Sequence, residues 1–314
     1  MPIQHLAGAL LILGLLLPGA AQSAAITVDG TLDAAYGVAL STQTIGTQAW
    51  ADANSGLVGP ANGSELDEAY GLISDGTLHL FLAGNLICQG NPVDYGLFTS
   101  GLYLFIDSKA GGQNRMRADN ADLDNGALNR MAGLTFDAGF DPDYWLGCRG
   151  TLANFYDPAS LYTLYAWQAE LLTGGAGGGA LLGTTGAGGP GVLSGGSNPG
   201  GILVTIDNRN TAGVAFTCNA SSGAGVTTGV EWDLPLAAIG NPSGCVRVCA
   251  VVAGGSAYAF YNQVLGPLPA GSCGLGVPSG VDFNLYAGDQ FFTVCAEDTP
   301  VRTSSWGRLK TLYR

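Results

Sequence analysis

The chain has 314 residues, of which 51 are glycine, and only 11% carry a charged side chain, less than half the usual share of about 25%. Hydrophobic residues make up 47%, and the glycines follow no three-residue period, so a collagen-like or wholly disordered chain is excluded. Acidic residues outnumber basic ones by 24 to 11, which gives a net charge of −13. Because such a surface repels phosphate backbones, we expect no nucleic-acid partner.

Residues 1–23 predict an export signal peptide. An apolar run extends from Leu6 to Leu17, Pro18 follows it, and small residues then lead to a cleavage site after Ser23 or Ala25. The run is shorter than the roughly 20 residues that a membrane-spanning helix needs, and no later stretch approaches that length. We therefore expect an exported mature protein without a membrane span, located outside the cell, at its surface or in the periplasm.

Short apolar runs, separated by Gly, Asn, Asp and Pro, follow the signal. Runs at this spacing without long amphipathic helices predict an all-β fold, an antiparallel β-sandwich of the jelly-roll kind with long loops and little helix. Within the run from Leu102 to Asp107, both faces are apolar, which predicts a central strand that is covered on both sides. The runs are Ile26 to Val28, Val38 to Ile45, Ala69 to Ser74, Thr77 to Ala83, Leu102 to Asp107, Leu161 to Gln168, Ile202 to Ile206, Val226 to Leu234, Val246 to Val252, Ala257 to Val264 and Gln290 to Cys295.

The sandwich is expected to form one domain over residues 24–299. Inside it, residues 173–201 are about half glycine, and because glycine has no side chain to bury, we expect a surface loop there. Residues 300–314 form a basic tail with four of the 11 basic residues and no acidic one. This tail is either a frayed terminus or a recognition element for an export or sorting machinery.

The seven cysteines all follow the signal, and an oxidising compartment predicts disulfides with one thiol left over. Cys245 and Cys249 bracket a strand-like run, so they lie about 13 Å apart and cannot pair with each other without a turn between them. Cys249 and Cys295 both lie in apolar runs and are expected to face each other across a sheet. The disulfide candidates are Cys88, Cys148, Cys218, Cys245, Cys249, Cys273 and Cys295.

His79 is the only histidine outside the signal. Any mechanism built on a Ser-His-Asp or Cys-His pair must therefore use this residue. Leu78, Leu80 and Leu82 form a period-two apolar face, so His79 points the other way and is expected to be an exposed strand residue.

Oxygen-bearing side chains alternate along residues 119–126, as they do in calcium loops. Asn120, Asp122 and Asp124 are the candidate calcium ligands, since calcium takes six to eight oxygens. The twelfth position of an EF-hand count falls on Met131 instead of Glu, so the segment is not an EF-hand. A solvated acidic loop with Asx turns is the alternative.

Aromatic residues next to loops and strand ends are candidates for stacking against sugar rings. We assign Trp50, Trp145, Trp167 and Tyr144 as ligand-binding candidates, which Tyr162, Tyr165, Tyr258 and Tyr261 can join. Hydrolysis of a glycan would need two carboxylates across a cleft, and no spacing singles out such a pair among the aspartates.

Residues 26–33, Ile-Thr-Val-Asp-Gly-Thr-Leu-Asp, resemble the opening strand of family nine carbohydrate-binding modules and related DOMON-like sandwiches. Further phrases are similar to exported bacterial proteins that carry PEP-CTERM sorting tails. The resemblance implies a β-sandwich that faces the outside of a bacterium, and no established reaction. These phrases lie at 63–70, 78–86, 104–112, 133–140 and 226–231.

Two departures limit what this resemblance implies. The Pro-Glu-Pro sorting tail is absent, and residues 305–314 stand in its place. The sugar-binding Trp pair of the modules has no residue-by-residue match. Our leading hypothesis is a non-catalytic cell-surface or extracellular protein that binds a glycan or associates with the envelope or matrix. The alternatives are a carboxylate-dependent glycan hydrolase and a purely structural surface protein.

Overall fold

A computed structural model describes residues 25–46, 64–86, 100–152, 162–210, 223–254 and 256–296. These ranges contain 13 strands, one short α-helix, α1 (Ala127–Arg130), and four 3-10 turns, at Ala34–Tyr36, Leu236–Ile239, Pro278–Gly280 and Phe283–Leu285. The strands are β1 (Ser41–Thr42), β2 (Glu65–Ser74), β3 (Thr77–Asn85), β4 (Ser100–Asp107), β5 (Tyr144–Leu152), β6 (Tyr162–Leu172), β7 (Gly175–Gly186), β8 (Ser194–Gly195), β9 (Leu203–Ile206), β10 (Gly229–Pro235), β11 (Val246–Gly254), β12 (Ala259–Leu265) and β13 (Phe292–Val294).

The strands form two antiparallel sheets. The small sheet has the order β1-β2-β3-β10-β9, and the large sheet has the order β12-β11-β4-β5-β6-β7-β8. β13 pairs with the first residues of β11, on the edge that β12 occupies further along the strand. The predicted all-β fold, an antiparallel sandwich with little helix, is confirmed. In the described residues, no helix is long and apolar enough to cross a membrane.

The main core lies between the inner faces of the two sheets. Leu78, Leu80 and Leu82 of β3 are fully buried there, in one cluster with alternate residues of β4 and β11. Fully burying one such side chain contributes about 1.5–3 kcal/mol, so these faces hold the sheets together. The period-two pattern of β3 in the sequence predicts this face correctly.

A second core covers the outer face of the large sheet. Tyr103 and Phe105 of β4 point outward into it, and Phe136 packs edge-on to Phe105 with ring centroids 4.7 Å apart. The covering residues come largely from the segments 108–143, which contains α1, and 266–291. β4 is thus covered on both sides, as its doubly apolar sequence predicts.

The glycine-rich segment 173–201 differs from the expected loop, because about half of it is strand. β7 pairs with β6 from Gly175 to Gly186, and β8 pairs with β7. A Cβ on Gly177 would lie 2.3 Å from the carbonyl oxygen of Glu170, and one on Gly179 would lie 2.7 Å from the Cβ of Ala121. Glycine therefore permits a close approach here, and backbone hydrogen bonds form the strand without much side-chain burial.

Cys245 and Cys295 form a disulfide that joins the start of β11 to the residue after β13. Cys273 is disulfide-bonded as well, while Cys88 and Cys218 lie outside the described residues. The predicted approach of Cys249 to Cys295 is wrong, because Cys249 points into the outer core of the large sheet.

Two free thiols occur in the described part of the chain, where we expected one in all. Cys148 lies in the inner core, whereas Cys249 lies on the opposite face of the same sheet, so the two cannot meet. Burial raises the pKa of both thiols well above its ordinary value. They are therefore unreactive core residues at neutral pH.

The described residues before β1, 25–40, form an N-terminal segment. It covers one end of the small sheet's outer face and is held there by Glu231 of β10. One carboxylate oxygen of this fully buried residue accepts hydrogen bonds from the amides of Asp29 and Gly30, each at 2.9 Å. The other oxygen accepts the Tyr36 hydroxyl at 2.9 Å. Gly30 has φ +82°, and a Cβ there would lie 2.3 Å from the amide nitrogen of Asp207. The Asp-Gly phrase thus brings the backbone of this segment directly against the sheet.

Replacing Gly30 with alanine tests this close approach. Gly225 is a matched control, since it has almost the same φ, +83°, and a methyl group added there would have no atom within 4 Å. Gly225→Ala has only the backbone cost of about 1 kcal/mol. We expect Gly30→Ala to lower the free energy of unfolding by about 1–3 kcal/mol more, because its methyl group overlaps the backbone of Asp207. Denaturant melts measure both variants, and equal losses would contradict the close approach.

The burial of Glu231 predicts a pH dependence of stability. Burial raises the pKa of this carboxyl from its ordinary value near 4.5 to about 7. The folded state therefore holds a proton that the unfolded state releases, so stability falls as the pH rises from about 4.5 to above 7, by about 2–4 kcal/mol.

The variant Glu231→Gln isolates this effect. Asp67, whose pKa burial raises to about 8, acts in the same direction and is present in both proteins. We expect the free energy of unfolding of Glu231→Gln to fall less between pH 5 and pH 8 than that of the wild type. Parallel pH profiles in urea melts would show that Glu231 does not carry the dependence.

Candidate functional site: an aromatic and arginine surface

Two aromatic side chains of β6 lie together on the outer face of the large sheet. Tyr165 and Trp167 are two residues apart and therefore share a face of the strand. Their rings stack with centroids 6.1 Å apart and an angle of 16° between their planes. Tyr165 is 37% exposed, whereas Trp167 is 8% exposed. The pair thus presents mainly the tyrosine ring to solvent, with the tryptophan supporting it.

Arg149 of β5 lies directly opposite Tyr165 in the strand register. Its guanidinium carbon is 5.7 Å from the centroid of the Trp167 ring, and its Nη2 is 2.5 Å from Oδ1 of Asp124. Asp124 is fully buried at its side chain, and its other oxygen accepts the Tyr103 hydroxyl at 2.8 Å. Burial raises the pKa of Asp124, while the Arg149 guanidinium opposes this shift. The buried carboxylate thus fixes the arginine beside the rings.

Ser256 connects this group to a second arginine. Arg149 donates to the Ser256 hydroxyl at 3.0 Å, and Arg130 donates to the Ser256 carbonyl at 2.8 Å. The Arg130 guanidinium lies 4.1 Å from the ring centroid of Tyr258, which is 62% exposed. A continuous surface results, which we call the aromatic–arginine surface. It consists of Tyr165, Trp167, Arg149, Arg130 and Tyr258.

The electrostatics of this surface differ from those of the chain as a whole. The charge of Arg149 is balanced by Asp124, but Arg130 forms no ion pair with the residues that the structure describes. A chain of net charge −13 thus carries, next to an exposed tyrosine, a guanidinium that forms no ion pair within the described ranges. Such a surface can stack an apolar ring face and donate hydrogen bonds to hydroxyl or carboxylate oxygens.

The four ligand-binding candidates from the sequence have different positions. Trp167 belongs to the aromatic–arginine surface. Trp145 lies beneath it with no exposed area, stacked on Tyr103 at 5.6 Å, so its assignment as a ligand contact is wrong. Tyr144 lies on the opposite face of the sheet, where its hydroxyl accepts Lys109 Nζ at 3.0 Å. Trp50 lies outside the described residues.

The other residues of the surface are partly anticipated by the sequence. Tyr165 and Tyr258, the further aromatic candidates, both belong to it. Arg149 and Arg130 are missed, because an arginine in a strand or a short helix gives no sign of its partners until the strand register is known. The cross-strand pairing of Arg149 with Tyr165 supplies that information.

The three predicted calcium ligands have separate surroundings. Asn120 Oδ1 accepts Gln113 Nε2 at 2.8 Å, Asp124 pairs with Arg149, and Asp122 is exposed. In the described ranges, no group of three or more His, Cys, Asp or Glu side chains is arranged to hold a metal ion. Asp124 instead lies beneath Arg149. Both of its carboxylate oxygens already have partners in the fold, Arg149 and Tyr103, so neither is available to a cation in this arrangement.

Comparison of the chain with protein-family models, with curated proteins and with solved structures finds no match in any of the three.

These contacts predict that calcium does not stabilise the protein. The Asp124 carboxylate already has Arg149 and Tyr103 as partners, so calcium would have to displace a buried ion pair. We expect the same midpoint of thermal unfolding in millimolar calcium and in EDTA. A calcium-dependent rise that Asp124→Asn abolishes would show that the loop rearranges to bind the ion.

Proposed function

We propose that this chain is an exported β-sandwich protein that binds a glycan through the aromatic–arginine surface without reacting with it there, at the cell surface or outside the cell. The observation that carries the proposal is that two exposed tyrosines, Tyr165 and Tyr258, lie next to two arginines that share Ser256 as a hydrogen-bond acceptor. A sugar ring offers an apolar face to stack on a tyrosine and hydroxyls to accept from arginine.

Arg130 favours a glycan with acidic groups. Its guanidinium forms no ion pair with a carboxylate of the described residues, so it can accept a uronate or sulfate group as a partner. The acidic remainder of the chain repels polyanions in general. Binding of an acidic glycan would therefore be local and would weaken as the salt concentration rises.

Export is supported by two features of different kinds. The sequence has the apolar run and small-residue site of a signal peptide. The Cys245–Cys295 disulfide is a bond that persists in oxidising compartments and is rare in the cytosol. The proposed role of residues 300–314 in sorting rests on the sequence alone, since the tail lies outside the described residues.

A carboxylate-dependent hydrolase has weaker support. The two carboxyl groups whose pKa burial raises toward or above 7 are those of Glu231 and Asp67, and both have 1% or less of their surface exposed. A general acid must reach the glycosidic oxygen, so groups enclosed in the fold are unsuited to this reaction.

Glycan binding can be tested with two variants and one matched control. Tyr165→Ala and Tyr258→Ala each remove an exposed ring of the surface, whereas Leu172→Ala removes a side chain of β6 that is exposed to a similar degree, 40%, outside the surface. On a glycan array, followed by calorimetry with the best ligand, we expect each tyrosine variant to bind about tenfold more weakly and Leu172→Ala to bind as the wild type does. Absence of any retained glycan, or equal losses in all three variants, would exclude this surface as the binding site and favour a structural protein.

A further inference from the structure

The only histidine outside the predicted signal has both ring nitrogens engaged. His79 Nδ1 lies 2.5 Å from Oδ1 of Asp233, and Nε2 lies 3.2 Å from the Ser74 hydroxyl oxygen. The side chain of His79 is 12% exposed and that of Asp233 is 18% exposed. His79 is therefore not the exposed strand residue that the sequence suggests.

Three neighbouring strands of the small sheet bring these side chains together. His79 of β3 is directly opposite Asp233 of β10 and Leu72 of β2, and Ser74 follows Leu72 by two residues on the same outward face. The two-residue turn Asp75-Gly76, in which both residues have positive φ, pairs Ser74 with Thr77 and so sets the position of the hydroxyl. The arrangement follows from the sheet register.

We propose that Ser74, His79 and Asp233 form an acyl-transfer site that hydrolyses esters of short acyl groups. The order of contacts, hydroxyl to Nε2 and Nδ1 to carboxylate, is that of a nucleophile, a general base and the group that orients the base. With its proton on Nδ1, the imidazole donates to Asp233 and accepts the Ser74 hydroxyl at Nε2. This site lies on the small sheet and is independent of the glycan-binding surface on the large sheet.

The reaction balances with water as the only co-reactant. The Ser74 oxygen attacks the ester carbonyl carbon while its proton passes to His79 Nε2. The carbon–oxygen bond to the alcohol then breaks, and the alcohol leaves with that proton, which yields an acyl-serine. Water attacks this ester with Nε2 again as the base, the carboxylic acid leaves and Ser74 regains its proton. Asp233 holds the ring and stabilises the imidazolium in each step.

The turn next to Ser74 supports both access and stabilisation of charge. Asp75 and Gly76 are exposed, so a small ester can approach from this side. In the described part of the chain, their amides donate to no acceptor. These are the two amides that follow Ser74 in the chain, and amides without an acceptor in the fold are available to donate to a bound ester.

Covalent labelling tests the proposal on the full mature chain. The protein is treated with an alkyl fluorophosphonate, and intact mass and peptide mapping locate the adduct. We expect a single adduct on Ser74, formed by the native protein and not by the urea-unfolded one. The native protein should also hydrolyse p-nitrophenyl acetate, and the urea-unfolded protein should not.

Variants of the three residues distinguish a catalytic role from a purely structural one. Ser74→Ala should abolish the adduct, His79→Ala should slow its formation by about 100-fold or more, and Asp233→Asn should slow it while retaining a side chain of the same size. Ser194→Ala, an exposed serine of β8, should react as the wild type does. Circular dichroism checks that each variant is folded.

Three results would overturn the proposal. The first is no adduct on the native wild type, and the second is an adduct at another residue alone. The third is labelling of Ser74 in folded Asp233→Asn and His79→Ala at the same rate as in the wild type. Each would assign the three residues to a hydrogen-bonded network that only joins the strands.

Discussion

Burial of the large sheet on both of its faces is the constraint on which the remaining structure depends. β4 and β11 point apolar side chains alternately into the inner and outer cores, so the outer face needs a covering segment. Segment 108–143 supplies it and brings Asp124 over the hydroxyl of Tyr103. Only because this cover is in place does Arg149 have a buried carboxylate to hold it beside Trp167. The aromatic–arginine surface therefore lies at the edge of the outer core, and its Arg149 is held by a carboxylate that this core buries.

The outer face of the small sheet has an apolar cover at one end only. Glu231, Tyr36 and Phe81 hold the N-terminal segment against its outer face. Further along β3 and β10, at His79 and Asp233, the outward residues are polar and bond to each other instead of to a covering segment. Both candidate sites thus lie where an apolar cover gives way to paired polar side chains. A buried polar group must find a partner, and at these borders the partners are an arginine for Asp124 and a histidine for Asp233.

Features set by local periodicity were predictable from the sequence, and features set by register were not. The apolar face of Leu78, Leu80 and Leu82 and the doubly covered β4 follow from alternation along single strands. The strand β7 was not predicted because its glycines give no alternation of apolar and polar side chains. Its formation depends on backbone pairing with β6. The pairings of Arg149 with Tyr165 and of His79 with Asp233 join residues far apart in the chain. No rule of spacing finds such pairs before the strand order is known.

The buried acids also change the meaning of the chain's composition. A net charge of −13 counts every carboxyl as ionised, but burial raises the pKa of Asp67 to about 8 and that of Glu231 to about 7. At pH 7, the first is largely protonated and the second about half protonated, so the folded chain is less negative by roughly one to two charges. Other buried acids anchor segments to the sheets, as Asp143 does by accepting the amides of Ser108 and Lys109. In a chain with so few charged residues, a considerable share of the acids serves the fold, and the exposed surface is less acidic than the composition implies.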